Sequence, residues 1–119
     1  MNPRDQRHIQ ARDAAHALRG GIVTSEFVLL EVADAFSRGA GRQRFLVLLD
    51  LLRADPRTKI VPSSHPLFEE GVSLFRTRPD KGWSLTDCIS FALMRSEGIQ
   101  DALTGDAHFD QAGFHDLLR

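Results

Sequence analysis

The chain has 119 residues, of which 42% are hydrophobic and 26% are charged, as is typical of a soluble globular domain. Fifteen basic and sixteen acidic residues give a net charge of -1, so no overall charge predicts binding to nucleic acid. No apolar run reaches the roughly 18 residues of a membrane-spanning helix, and the polar start lacks a secretory pattern. The single cysteine excludes an internal disulfide. We therefore expect one cytoplasmic domain spanning residues 1–119.

Hydrophobic spacing and breaks at glycine and proline predict short strands that alternate with helices. The predicted helices cover residues 5–19, 25–38, 42–54, a segment opening at 63–66, and 84–97. The predicted strands cover residues 22–24, 59–62, 102–104 and 114–117. This alternation indicates parallel pairing and a three-layer α/β/α domain. The helix at 84–97 is apolar on nearly every side, so we expect it at the centre of the molecule.

Three acidic residues fall where the strands of such a sheet would end. Glu31 lies about six residues into the helix after the first strand, Asp87 lies in the first turn of the central helix, and Asp106 follows the third strand. Sites in parallel sheets form at the carboxyl ends of the strands. Three carboxylates meeting there would repel one another unless a cation neutralised them. All-oxygen ligands favour Mg²⁺ or Mn²⁺ over zinc.

Each of these acids also has a purely structural interpretation. Glu31 sits at the edge of an apolar stripe, which fits a solvated boundary position. Asp87 completes a pattern begun by Ser84 that resembles a helix capping box. Asp106 fits a turn residue, and His108, two residues later, is either a phosphate contact or a second turn residue. No Cys/His spacing predicts a zinc site.

Three stretches of the chain together resemble the PIN domain family. Residues 83–92 (WSLTDCISFA), 102–109 (ALTGDAHF) and 112–114 (AGF) resemble its C-terminal half, and they are most similar to the VapC-type ribonuclease toxins of bacterial toxin–antitoxin pairs. Residues 24–32 (TSEFVLLEV) are similar to the family's second acidic motif. The resemblance covers nearly the whole chain and implies a PIN-like fold with a parallel sheet.

The resemblance implies a ribonuclease that hydrolyses RNA phosphodiester bonds with Mg²⁺ or Mn²⁺ as its cofactor. By motif position, it assigns Glu31, Asp87 and Asp106 as catalytic residues and metal ligands. Three hydroxyl side chains would position the carboxylates or bound water, and these are Thr86, Thr104 and Ser25. The implied partners are an RNA substrate, a cognate antitoxin and a second copy of the chain in a homodimer, with no membrane.

The sequence departs from the family at its start. PIN domains begin with a central strand that ends in an Asp-Thr or Asp-Ser pair, whereas residues 1–8 resemble the segment that follows this strand. The resemblance therefore implies a domain truncated at its N-terminus relative to the family, with the central first strand and first acidic ligand missing. We therefore expect two half-sheets with a gap between them. Three alternatives remain open: the reading frame starts upstream and encodes the missing strand, the two flanking strands close the gap, or a partner chain supplies the strand.

The missing ligand leaves an alternative function open. A catalytically impaired PIN-fold protein would act as an antitoxin- or protein-binding module. Its candidate surface is formed by apolar helical residues, for which ordinary core packing is the favoured interpretation, and these are Leu29, Phe36, Phe45 and Leu46.

Basic residues form two clusters that are candidates for RNA binding. Arg42 and Arg44 lie in a glycine-punctuated segment, and Lys81 lies shortly before Trp83. If these clusters flank the acidic edge, they contact phosphates and activity falls steeply with salt; otherwise they are solvated surface charges. Trp83 either stacks on a base or anchors its loop to the core.

Overall fold

The computed structural model describes residues 21–102 and 107–116. The strands in these ranges are β1 (Ile22–Ser25), β2 (Thr58–Val61), β3 (Asp101–Ala102) and β4 (His115–Asp116). The helices are α1 (Glu26–Ala35), α2 (Ala40–Ala54), α3 (His65–Thr77), α4 (Leu85–Glu97) and α5 (Ala107–Gln111). The predicted helix at 5–19 and part of the two C-terminal strand predictions lie outside the described residues. Elsewhere, the order of strands and helices is the predicted one, except that the sequence did not predict α5.

The strands pair in parallel, as the alternating pattern predicts. β1 pairs with β2 from Ile22 opposite Thr58 to Ser25 opposite Val61. β3 pairs with β4, with Asp101 opposite His115. Within residues 21–102 and 107–116 these are two separate two-stranded sheets, in agreement with the two half-sheets expected from the sequence.

Three of the helices begin with a serine that caps the first turn. The Ser25 and Ser64 hydroxyls accept hydrogen bonds from the backbone N–H groups of Val28 and Leu67, at 3.2 and 3.3 Å. Ser84 caps α4 in the same way. A serine at this position satisfies an N–H group that has no partner within the helix, which stabilises the helix start. The sequence predicts these starting points because each cap involves residues only three positions apart.

Two helix boundaries differ from the prediction. α1 ends at Ala35 rather than near residue 38, and α2 begins at Ala40 rather than at Arg42. Gly39, whose φ of 57° lies in the left-handed region, precedes α2, whereas Gly41 is inside that helix. The chain therefore leaves the helical path over residues 36–39, and the predicted break extending to Gly41 is wrong.

In the part of the chain that the structure describes, the hydrophobic core consists of two clusters that both include residues of α4. One cluster contains Trp83, Cys88, Phe91, Met94, Ala102 and Phe114. The other contains Leu67, Ile89 and Leu93, with the partly buried Phe27, Val61 and Leu85 packed against it. Opposite faces of α4 thus pack into different clusters, which confirms the predicted central position of this helix.

α3 and α4 approach each other closely at Gly71. A Cβ atom at this position would collide with Cγ1 of Ile89, so a larger residue would push the two helices apart. This contact explains a buried glycine inside a helix, where glycine is otherwise unfavourable. None of the helices in the described ranges combines the length and apolar character required to cross a bilayer.

Candidate active site

Asp87 occupies the third position of α4 and forms a capping box with Ser84. The Asp87 backbone N–H donates to Ser84 Oγ at 3.0 Å, and the Ser84 backbone N–H donates to Asp87 Oδ2 at 3.3 Å. The capping interpretation of Asp87 is therefore confirmed. A carboxylate has two oxygens, and this cap uses Oδ2, so capping does not prevent the other oxygen from binding a ligand.

Oδ2 of Asp87 has a second partner, the ring of His108 in α5. His108 Nδ1 lies 3.1 Å from Asp87 Oδ2. The side chains of His108 and Asp87 are only 33% and 16% exposed. Within the described part of the chain, Asp87 Oδ1 makes no hydrogen bond, so the carboxylate is held by one oxygen and available at the other.

Glu31 lies on α1, a helix that packs against α4. It is the sixth residue of α1, as the sequence predicts, and its side chain is exposed. Phe27, one turn earlier on α1, packs against the cluster that includes Ile89 of α4. Among residues 21–102 and 107–116, Glu31 has no hydrogen-bond or ion-pair partner. An exposed carboxylate of this kind is available to bind a cation.

Two further residues predicted to belong to this site, Asp106 and Thr104, lie outside the described residues. The structure brings the helices of Glu31 and Asp87 together, while the meeting of all three carboxylates stays a prediction. The ranges 21–102 and 107–116 contain no group of three potential metal ligands. The donors that are described, one exposed carboxylate and one carboxylate with a single unbonded oxygen, fit the hard cations Mg²⁺ and Mn²⁺.

The hydroxyl residues near these acids differ in their surroundings. Ser25 is buried and its Oγ accepts the Val28 N–H, which places this hydroxyl at the junction of β1 and α1. Thr86 is half-buried and directly precedes Asp87. The predicted role of these two residues in positioning carboxylates or water stays a prediction.

The basic residues lie in two different environments. Arg42 and Arg44 are exposed, whereas Lys81 is half-buried. The Nε of Arg42 donates to the backbone oxygen of Ser37 at 3.2 Å. Arg78 is paired with Asp80 at 3.1 Å. The Asp80 carboxylate accepts hydrogen bonds from that guanidinium, which raises the pKa of Arg78 and lowers that of Asp80.

Trp83 anchors its loop to the core, which confirms one of its two predicted uses. Its side chain is 4% exposed, and its Nε1–H donates to Gln111 Oε1 at 3.1 Å. Its ring packs edge-on against Phe91, with the centroids 5.1 Å apart, and the Arg78 guanidinium lies 5.3 Å from the ring centroid. With its ring covered on these sides, Trp83 is not a platform for stacking a base.

Cys88 has the buried environment that its sequence predicts. The side chain is almost fully buried, and burial raises the pKa of its thiol, an effect that the neighbouring Asp87 carboxylate reinforces. A thiol in this environment remains protonated, which makes it a poor nucleophile. Cys88 is a core residue of α4.

The structure has parallel strand pairs with helices between them and an acidic residue at the start of the central helix. These features are those expected of a PIN domain. The chain belongs to the PIN domain family, which its sequence matches over residues 4–115. The predicted α/β PIN fold and the resemblance to VapC-type proteins are thereby confirmed.

Particular relatives of known structure and activity come from Mycobacterium tuberculosis. The crystal structure of VapC20, a sarcin–ricin loop cleaving toxin, superimposes with a TM-score of 0.79 and 29% sequence identity, covering 98% of this chain and 88% of that chain. The 23S rRNA-specific endonuclease VapC20 of strain CDC 1551/Oshkosh and that of strain H37Rv are each 29% identical over 113 residues. The matched region covers 95% of this chain and 86% of each relative.

Sequence reasoning did not identify His108 as the partner of Asp87. The interpretation as a turn residue is wrong, because His108 lies in helix α5, whose five residues are too few for a helical pattern to be read. The available signal is the spacing in residues 106–109 (DAHF), where a histidine follows an acidic residue by two positions beside an apolar anchor.

Proposed function

We propose that this chain is an endoribonuclease of the VapC toxin type, which hydrolyses RNA phosphodiester bonds with a bound Mg²⁺ or Mn²⁺. The observation that carries the proposal is the state of Asp87, whose Oδ2 is held by two donors while Oδ1 has no hydrogen bond in the described ranges. Similarity to the 23S rRNA-specific endonuclease VapC20 over 95% of the chain supports RNA as the substrate.

Glu31, Asp87 and Asp106 are the residues that would hold the cation. When bound, a divalent cation supplies charge neutralisation at the phosphate and an acidified water molecule. The part of Asp87 is to present one oriented oxygen, because its other oxygen caps α4. Glu31 contributes a second carboxylate from α1, which packs on the same helix. Thr86, Thr104 and Ser25 would orient these carboxylates or water through their hydroxyl groups.

Arg42, Arg44 and Lys81 are proposed to contact RNA phosphates. Contacts of this kind displace counterions from the RNA, so binding weakens as salt rises. Raising monovalent salt from 50 to about 200 mM should lower kcat/KM by roughly 10-fold or more if three such contacts form. Replacing both arginines with glutamine should reduce that salt dependence. A cleavage rate unaffected by salt would contradict their role.

Cleavage assays with short single-stranded RNA and with 23S rRNA test the proposed activity. Cleavage should require Mn²⁺ or Mg²⁺ and stop on addition of EDTA. Asp87→Asn and Asp106→Asn should each lower the rate by roughly 100-fold or more, because each removes a charged ligand. Asp50→Asn, an exposed acid on α2, is the matched control and should retain the rate. EDTA-resistant cleavage, or full activity of Asp87→Asn, would contradict the proposal.

A second candidate function is binding of a cognate antitoxin at the junction of α1 and α2. A cleft of about 240 Å³ lies there, with Phe36, Phe45 and Leu46 among its lining residues. Leu46, Val47 and Leu51 of α2 are exposed, so apolar surface adjoins the cleft. Leu29, the fourth residue of the predicted surface, is instead buried, because it faces inward from α1. The predicted homodimer would use apolar surface as well.

Co-purification of tagged protein with a co-expressed antitoxin tests this second function. Leu46→Glu should weaken retention by at least 10-fold, because it places a charge in the apolar cleft, and RNA cleavage by the free protein is measured alongside because Arg42 lines the same cleft. Antitoxin retention with no cleavage under any metal condition would favour the binding module over the enzyme. Equal retention of Leu46→Glu and wild type would place the antitoxin elsewhere.

A further inference from the structure

We propose that His108 is the positioning residue of Asp87, holding one carboxylate oxygen so that the other is presented to the cation. The inference deepens the proposed function and rests on it. It rests on the contact between His108 in the short helix α5 and Asp87 in the first turn of α4, two residues that are 21 positions apart in the sequence.

Both donors to the Asp87 side chain reach the same oxygen. The Ser84 N–H lies 3.3 Å from Oδ2 and the His108 Nδ1 lies 3.1 Å from it. One donor belongs to the backbone before α4 and the other to α5, so together they restrain rotation of the carboxylate from two directions. Oδ1 is thereby fixed in orientation, which lowers the entropic cost of binding a ligand there.

The hydrogen bond requires the ring nitrogen that faces Asp87 to be the donor. An ionised carboxylate oxygen only accepts hydrogen bonds, so Nδ1 of His108 carries the hydrogen. The two side chains are 33% and 16% exposed, so water screens this bond less than it screens a pair at the open surface. A donor restraining a metal-binding carboxylate in this way typically changes metal affinity by roughly 10- to 100-fold.

The position of His108 is itself fixed by its neighbours in α5. Phe109 packs edge-on against Phe91 of α4, with ring centroids 4.8 Å apart. Gln111 accepts the indole hydrogen bond of Trp83. These two contacts attach α5 to the buried part of the molecule, so the histidine meets Asp87 from a rigid support rather than from a mobile loop.

Variants of the full chain separate positioning from other uses of the histidine. Asn places its amide nitrogen on Cγ, where histidine carries Nδ1, whereas Gln places it one atom further out, near Nε2. His108→Asn can therefore still donate to Asp87, while His108→Gln and His108→Leu cannot do so from the same position. His115→Leu, at an exposed histidine near Asp101, is the matched control.

Mn²⁺ binding followed by electron paramagnetic resonance is the readout, with RNA cleavage measured alongside. His108→Leu and His108→Gln should raise the Kd for Mn²⁺ by roughly 10-fold or more, and His108→Asn and His115→Leu by less than about 3-fold. In an Asp87→Asn background, His108→Leu should cause no further loss, since the two residues act as one unit. Thermal unfolding of each variant verifies that the fold is retained.

The outcomes distinguish this inference from the proposed function. Equal Mn²⁺ affinity in all variants would overturn the positioning role while leaving a metal-binding wild type intact. An Asn variant as weak as the Leu variant would also overturn it, because the important atom would then be Nε2. A wild-type protein that neither binds Mn²⁺ nor cleaves RNA would overturn the proposed function and this inference together.

Discussion

Helices α2 and α4 are both rich in apolar residues, but α4 is buried in the core and α2 lies at the surface. α4 buries five of its 13 residues and contributes to both core clusters. α2 buries none of its 15 residues and exposes Leu46, Val47 and Leu51. The comparison teaches that leucine content does not determine burial. A helix between two packing partners is buried, and a helix at the edge keeps an apolar face open.

The same difference assigns the two helices different roles in the proposed function. The start of α4 carries Asp87, and a helix packed on opposite faces holds that residue in one place. α2 lies beside the cleft with an apolar surface that a protein partner would cover. Catalysis benefits from the rigid helix, and partner binding benefits from the exposed one.

Truncating one leucine on each of α2 and α4 is the most direct test of their difference in burial. Leu93→Ala in α4 should lower the free energy of unfolding by roughly 2–5 kcal/mol, because Leu93 is 8% exposed and its removal leaves a cavity. Leu51→Ala in α2, at a position 58% exposed, should cost less than about 0.5 kcal/mol. Urea denaturation measures both. Similar losses at the two positions would show that α2 is buried in solution.

Gly71→Ala tests how tightly α4 is held from the α3 side. The added Cβ would meet Ile89, and the resulting shift should cost roughly 1–3 kcal/mol despite the better helix propensity of alanine. Gly82→Ala is the matched control, because a Cβ there meets nothing within 4 Å, and its effect should stay within about 0.5 kcal/mol. A stabilised Gly71→Ala protein, measured by thermal unfolding, would mean that the helices separate easily.

Removing the cap of α4 should affect both stability and the site. Ser84→Ala should cost about 1 kcal/mol, as should Ser64→Ala at the start of α3, because each deletes one serine cap. Only Ser84→Ala should also weaken Mn²⁺ binding, since Ser84 adjoins Asp87 and Ser64 does not. Denaturation and Mn²⁺ titration of both variants provide the test. Equal Mn²⁺ affinity in the two variants would separate the cap from the site.

The smallest expected effect concerns the end of α2. The Arg57 N–H and the Thr58 hydroxyl donate to Asp55, and these bonds hold the pKa of its carboxyl below the ordinary value of 3.8. A pKa lower in the folded state stabilises the fold above the unfolded-state pKa, and this contribution disappears as pH falls through the folded-state pKa. Asp55→Asn should therefore be less stable than wild type at pH 7, with the difference shrinking below about pH 4. Unfolding curves across pH measure this difference, and one independent of pH would contradict the bonds.

Much of the fold is predictable from residues close together in the chain. The serines before α1, α3 and α4 and the glycine after α4 mark helix ends within one or two residues. The boundary between α1 and α2 is less predictable, because two glycines stand near it and only Gly39 takes the left-handed conformation. Sequence alone does not say which of two nearby glycines the chain turns at.

The candidate site also has a part that the sequence predicts and a part that it does not. The motif resemblance identifies Asp87, and the capping pattern identifies its local bonds, since both lie within a few residues. The bond to His108 joins residues 21 positions apart, and it forms because Phe109 docks against Phe91. Packing of this kind depends on the arrangement of whole helices, and the short α5 gives no pattern from which to predict it.

By itself the sequence determined the PIN family, the α/β class and the parallel pairing of strands, and it named three candidate acids whose meeting stays a prediction. Only the tertiary structure decided that α4 is enclosed while α2 is exposed, that Trp83 serves the core, and that Asp87, among residues 21–102 and 107–116, is hydrogen-bonded through Oδ2 and not through Oδ1. The physical reason is the separation along the sequence of the residues that interact. Caps and turns form between neighbouring residues, whereas burial and the direction of a carboxylate are set by distant parts of the chain that pack together.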